Sequence, residues 1–516
     1  MRYPNPLKSV RRFRRKFLPI LLALLLPCVT QAQQVNRSGA VGEQRATRYF
    51  ESIRHQPTPL LAFLRQMPKG GDLHNHLSGA VYAESYIRWA ADAGMCVDQQ
   101  TLTLTTAPCN AAQGHQPVSQ AFTDVVLYRR MVDAWSMRNW ELSGQSGHDH
   151  FFDAFGKFGP AAGMWGEMLA EVAGRAARER VGYLELMLTP DGVRSRSVGS
   201  RVGWDDDFGE MRDKLLANGL REAVADGRKA LDDAEANERQ LLKCGTPQAD
   251  AGCGVTVRYL YQVSRGAQRE QVFAQILAGF EMASADARVV GLNLVQPEDW
   301  YVPMRDFSLH MRMLNYLHRL YPRVHIALHA GELAHGLVPP EGLWFHIRES
   351  IYLGHAERIG HGVSIMEEDD PAGLLREMSA RKVLVEICLT SNALILGISG
   401  SRHPLFVYLK YGVPVALATD DEGVSRSDMT HEYLRAAEDQ GLDYIRLKTM
   451  ARASIEHAFI GGESLWRDVK NFISVPQCAM KPPRMSSGCR RFLDDNAKAR
   501  LQWALEGAFV EFEAKY

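Results

Sequence analysis

Several strong signals are missing from this chain, and each absence narrows what it can be. Basic and acidic side chains balance at 60 each, so no excess charge points to a nucleic-acid partner. Hydrophobic residues make up 46% of the chain, yet past the N-terminus no apolar run approaches the roughly 20 residues of a membrane span. The eight cysteines nowhere adopt the spacing of a zinc-binding cysteine cluster. No glycine-rich turn follows an early strand, which argues against an open dinucleotide-binding sheet. No internal repeat or low-complexity linker divides the chain. What remains is an ordinary globular composition with ample material for a large core.

The N-terminus stands apart. "RRFRRKFLPILLALLLPCVTQAQQ" sets a basic stretch before an apolar run, Phe17 to Leu26, and then Thr30 and Ala32 before a polar continuation. This is the anatomy of a cleaved export signal over residues 1–32, with a mature chain beginning near Gln33. "RRKFL" is similar to a twin-arginine signal, except that Phe13 stands where Ser or Thr is usual; a general secretory signal fits the same residues. Leu-Leu-Pro ahead of Cys28 argues against a lipid anchor. Six of the other cysteines fall into close neighbours within polar loops: Cys96 with Cys109, Cys244 with Cys253, and Cys478 with Cys489. An oxidising compartment and three local disulfides are expected. Cys388, inside the apolar "VLVEICL", is expected to be a buried free thiol.

Eight short β-type runs alternate with amphipathic stretches: "GDLHNH" at Gly71, "GYLELML" at Gly182, "VTVRYLYQV" at Val255, "VVGLNLV" at Val289, "RVHIALHA" at Arg323, "ERIGHG" at Glu357, "KVLVEICL" at Lys382 and "VPVALAT" at Val413. Strands alternating with helices pair in parallel, and eight units predict an α/β fold, a closed (β/α)8 TIM barrel. A helical extension over 33–66, read as one leading helix from about Gly42 to Gln66, would precede a barrel domain over 67–516. Three stretches look like insertions: Ala91 to about Gln120, Arg221 to Gln240, and Val475 to Cys489.

A parallel barrel binds its ligand at the C-terminal ends of its strands. There the sequence places His74 and His76, one residue apart and therefore on one face of a strand, with His329, His361, Asp420 and Asp421 at other strand ends. Each has a plain alternative, since aspartates at strand ends also cap turns. His325, four residues before His329, reads as structural. Their joint placement on one rim favours a metal held by neutral imidazoles and a carboxylate, with zinc the natural occupant and water in an open position. Such a metal supplies hydroxide near neutral pH. Attack on a ring or amide then needs a proton acceptor and a proton donor, and His361 and Glu332 have the right types.

Together, "MPKGGDLHNHLSGA", "HAGE" at His329, "RIGHG" at Arg358, "EICLTSN" at Glu386 and "ATDDEGV" at Ala418 resemble the adenosine deaminase family, most closely its secreted growth-factor-like branch and exported bacterial relatives. The resemblance implies one zinc ion per chain on His74, His76, His329 and Asp420. It implies that Glu332 protonates purine N1, that His361 orients and deprotonates the attacking water, and that Asp421 bonds N7. Hydrolytic deamination of adenosine and 2'-deoxyadenosine would follow. Ser78 stands where relatives carry an aspartate toward the ribose 5'-hydroxyl. "NLVQ" replaces "DLAG", putting Asn293 for the aspartate and Gln296 for a glycine beside purine N3. Ser78 and Gln296 are thus expected to bind substrate in this chain's own way. Another 6-aminopurine or N6-substituted nucleoside is the alternative substrate, and a non-catalytic nucleoside-binding relative the alternative function. The polynucleotide deaminase signature, His-x-Glu with Pro-Cys-x-x-Cys, is absent. The resemblance also implies a homodimer built on the leading segment and insertions.

Overall fold

The computed structural model describes residues 30–516, with side chains described from Val41 onward. Apart from Thr30 to Ala32, the expected export segment lies outside the described residues. All eight expected runs are strands: β1 Gly70–His76, β2 Val181–Leu188, β3 Thr256–Ser264, β4 Val289–Val295, β5 His325–Ala330, β6 Arg358–His361, β7 Leu384–Ile387 and β8 Val415–Leu417. They pair in parallel in that order within one sheet. The ring closes just past the last strand, where Asp420 N–H donates to the His74 carbonyl and His76 N–H to the Asp420 carbonyl, both at 2.9 Å.

Closure by Asp420 brings the first and last motifs of the sequence into direct contact. Outward strand residues such as Leu328, Ile359 and Val385 pack under the helical layer. The helix Arg269–Ala285 buries Val272, Phe273, Ile276, Leu277 and Phe280, because it is covered by the strands on one side and by the helices Arg194–Val202 and Leu220–Leu241 on the other. Among the described residues no helix is long and apolar enough to cross a membrane.

The leading segment is two helices, Thr30–Ile53 and Pro57–Gln66, and not the single helix read from Gly42 to Gln66. Pro57 explains the break. It holds the preceding Gln56 in an extended conformation (φ −118°, ψ 93°) and starts the second helix at a position where no amide hydrogen is needed. Phe50 and Phe63 then pack edge to face, and Phe63 meets Phe512 of the C-terminal helix at 4.9 Å between ring centroids. The three expected disulfides form: Cys96–Cys109 and Cys478–Cys489 lie within the first and third insertions, Cys244–Cys253 closes the loop just after the second, and Cys388 is buried and free. The first insertion folds into a small antiparallel sheet of Cys96–Asp98, Leu104–Thr105 and His115–Pro117.

Candidate active site

Alternation along β1 turns His74 and His76 to the same inner face, and β5 delivers His329 opposite them. The Nε2 atoms of His74 and His76 lie 3.0 and 3.1 Å from Nε2 of His329. Asp420 Oδ1 sits 3.3 Å from His74 Nε2 and 3.4 Å from His76 Nε2. The opposite ring nitrogens explain this crowding. His74 Nδ1 donates to Glu386 Oε2 at 2.6 Å, His329 Nδ1 to Asn293 Oδ1 at 2.8 Å, and His76 Nδ1 to Gln262 Oε1 at 3.1 Å. Each ring thereby carries its proton on Nδ1 and turns a bare Nε2 lone pair inward. Three ring nitrogens and a carboxylate oxygen converge on one point, an arrangement that a cation satisfies. Their separations match the roughly 3.3 Å edge of a tetrahedron with metal–nitrogen bonds of about 2.0–2.1 Å. The donor set therefore fits a zinc-type ion.

The partners of those rings were missed in the sequence. Glu386 is itself held by Arg358, whose Nε lies 2.7 Å from Glu386 Oε1 and whose Nη2 lies 2.6 Å from Glu185 Oε2. All three side chains are at most 1% exposed, so the barrel interior beneath the site is a closed ion network that fixes the His74 ring. His325 stands at the other end of the barrel, stacked on Phe459, in keeping with a structural role.

Glu332 follows β5 on a turn pinned by a buried carboxylate. Glu298 accepts from the amides of Gly331 (3.1 Å) and Glu332 (2.9 Å) and pairs with His346. Gly331 has φ +73°, and a Cβ there would lie 2.8 Å from Ile347, so the turn needs glycine. Burial, and after it the charges of Asp420 and Glu298, push the Glu332 carboxyl well above its ordinary range. That environment favours the protonated form of Glu332. Asp421 is raised likewise by burial and by Asp420. Its Oδ1 is buried without a partner, and its side chain packs so tightly on Gly79 that a Cβ there would lie 1.6 Å away.

His361 sits at φ +67° with its Nδ1 3.6 Å from Glu332 and its Nε2 3.9 Å from Asp420 Oδ2. Burial lowers it to about 3, so the ring is neutral. A chain of hydrogen bonds runs behind it. Leu405 N–H donates to His403 Nδ1 (3.2 Å), His403 Nε2 donates to Asn392 Oδ1 (3.1 Å), and Asn392 Nδ2 donates to His361 Nδ1 (3.0 Å). That direction leaves the ring hydrogen on Nε2, the nitrogen facing the metal cluster. Asn392 lies within the "EICLTSN" motif, but nothing in the sequence marked it or His403 as partners of His361.

A cavity of about 220 Å³ opens above the cluster. It is lined by His76, His329, Glu332, Asp420 and Asp421, and also by Ser78 and Gln296. The structure thus gathers seven of the nine expected site residues around one cavity, with His74 and His361 buried against the cluster beneath it. The far wall, Phe151, Phe152 and Phe155 of the helix Gly147–Phe158, was not anticipated. Its spacing reads simply as an apolar helix face. No lysine or arginine lines the cavity among the described residues.

An eight-stranded parallel barrel with a His3Asp cluster, a buried glutamate and a cavity of mixed polar and aromatic lining at its rim defines a hydrolase of the metal-dependent barrel class. The adenosine deaminase family model matches residues 166–467, and the chain belongs to that family. It is accordingly a hydrolytic enzyme acting on C–N bonds, a deaminase of purines. The matched span starts after β1, which the structure places in the same barrel. The adenosine deaminase of Klebsiella pneumoniae (strain 342) is 26% identical over 395 residues, covering 75% of this chain and 93% of that protein. That of Serratia proteamaculans (strain 568) is 27% identical over 391 residues, covering 75% and 93%. Among solved structures, an adenine deaminase from Arthrobacter aurescens superposes with a TM-score of 0.50 at 18% identity, covering 76% of this chain and 94% of that one. Arabidopsis ADAL complexed with IMP gives 0.51 at 21%, covering 77% and 93%. These two likenesses establish the barrel fold.

Proposed function

We propose that this protein is an exported, zinc-dependent enzyme that converts adenosine and 2'-deoxyadenosine to inosine and 2'-deoxyinosine with release of ammonia. The observation that carries the reading is the facing of a metal-ready cluster by a buried Glu332 across one cavity. His74, His76, His329 and Asp420 would hold the zinc, one ion per chain, which when bound supplies a Lewis acid that makes water nucleophilic at neutral pH. Glu332 delivers its proton to N1 of the purine, drawing electrons from C6 and opening it to attack. Asp421, also protonated, donates to N7 from the other side of the base. His361 directs the attacking water through Nε2; to take the water's proton there, the ring must first carry its own hydrogen on Nδ1, with the Asn392 carboxamide turned to accept from it. The C6–N bond then breaks and ammonia leaves.

A cavity lining without lysine or arginine among the described residues favours a nucleoside over a nucleotide, since a phosphate there would find no cationic partner. The test is ammonia release by the zinc-loaded mature protein from adenosine, 2'-deoxyadenosine, AMP and N6-methyladenosine in parallel. Turnover of the two nucleosides at least about tenfold above AMP is expected; a preference for AMP or for the N6-methyl nucleoside moves the chain to another substrate.

Three disulfides support export. Sequencing the N-terminus of protein recovered from the periplasm or medium is expected to show a start near Gln33, and an uncleaved cytoplasmic chain would refute it. The homodimer implied by the family resemblance is expected to sediment at twice the mass of one chain.

A further inference from the structure

Gln296 closes β4 at φ +86°, a left-handed conformation that suits glycine and is rare for a longer side chain. The strand end has therefore kept a glycine-type backbone while adding a carboxamide to the cavity wall. Two contacts hold it. Arg265, 1% exposed, donates from Nε to the Gln296 carbonyl and from Nη1 to the His329 carbonyl, both at 3.0 Å, which locks the end of β4 to the metal-ligand strand β5. The Gly266 amide donates to Gln296 Oε1 at 2.7 Å. A backbone N–H is only a donor, so the carboxamide is fixed with its oxygen on Gly266 and its NH2 left for the cavity.

Strand order says what that NH2 meets. β4 neighbours β5, whose end carries Glu332. With Glu332 at N1 and Asp421, from beyond β8, at N7, the ring edge that continues from N1 through C2 to N3 turns toward β4. We propose that Gln296 is a specificity-determining residue whose amide NH2 donates to N3 and opposes an amino group at C2, so that the enzyme selects 6-aminopurine nucleosides unsubstituted at position 2. The inference rests on the substrate orientation proposed above. A 2-amino group sets donor against donor, and a mismatched polar pair in a closed site is costly.

Polarity inversion tests this. Gln296→Glu keeps an oxygen for Gly266 and turns a second oxygen toward C2, while Gln296→Gly removes the contact and relieves the left-handed strain, so it is expected to fold. Two readouts are taken: kcat/KM for adenosine against 2,6-diaminopurine riboside, and binding of purine riboside against 2-aminopurine riboside, neither of which carries the 6-amino leaving group. The native enzyme is expected to favour the 2-unsubstituted member of each pair by about tenfold. The glycine variant should bring the ratios near parity, and the glutamate variant should invert them. Ratios unmoved within about twofold in both variants overturn this inference and leave the deaminase reading intact. A zinc-loaded native protein that binds no purine riboside and deaminates no 6-aminopurine nucleoside overturns both.

Discussion

The rim of the barrel and the insertions around it are built by opposite rules. At the rim, Gln296, His361 and Asp420 all take left-handed backbone conformations at φ +86°, +67° and +60°. Four imidazoles and three carboxylates are buried within reach of one another, and Asp421 Oδ1 and His361 Nε2 are buried without partners. Each such feature costs of order 1–3 kcal/mol. The peripheral loops are built differently, from short antiparallel pairs, capped helices and three disulfides across 9 to 13 residues. Left-handed residues occur at the periphery too, at Leu102 and Lys243, so what sets the rim apart is its crowded buried charge, which the ion network beneath it holds in place. Mutations at the rim should therefore change chemistry more than stability, and mutations in the insertions the reverse.

The largest effect is expected for His329→Ala. Loss of the ligand shared by both β1 histidines should abolish zinc retention by metal analysis and turnover above background, while the melting temperature of the metal-free protein stays close to that of metal-free native enzyme. A melting point far below that reference would assign His329 a folding role and break the contrast.

A smaller effect is expected for Glu386→Gln, which keeps shape but removes the negative charge bridging His74 and Arg358. Zinc affinity should fall by roughly 10–100-fold, measured by competition with a chelator, with kcat of the fully loaded enzyme largely kept. Unchanged affinity would mean that the buried network serves folding alone.

The smallest functional effect belongs to Cys244→Ser with Cys253→Ser. Opening that loop should cost roughly 2–3 kcal/mol of stability by denaturant titration, with KM and kcat unaltered. A shift in either constant would tie this loop to the rim.

The same contrast governs what the sequence revealed. The β-type runs, the strand-end histidines and aspartates and the local cysteine pairs are short-range patterns, and the strands and pairs appear in the structure as read. Pro57 was visible in the sequence, yet helical spacing on both sides of it masked the break. The partners of the site residues were not legible because they are long-range: Glu386 reaches His74 across 312 positions, Asn293 reaches His329 across 36, and His403 acts on His361 only through Asn392. The Phe151, Phe152 and Phe155 wall carries no signal beyond an apolar helix face. Gln296 was noticed as a departure, but the direction of its carboxamide depends on Gly266, which no spacing rule connects to it.

The central claim is that a buried, protonated Glu332 works against a metal held by three histidines and Asp420 to deaminate a purine nucleoside. The most direct test is ammonia release from adenosine by native enzyme and Glu332→Gln at equal, measured zinc content. The account expects full zinc occupancy in both and a loss of roughly 10²- to 10⁴-fold in kcat for the variant. Near-native turnover by Glu332→Gln would contradict it.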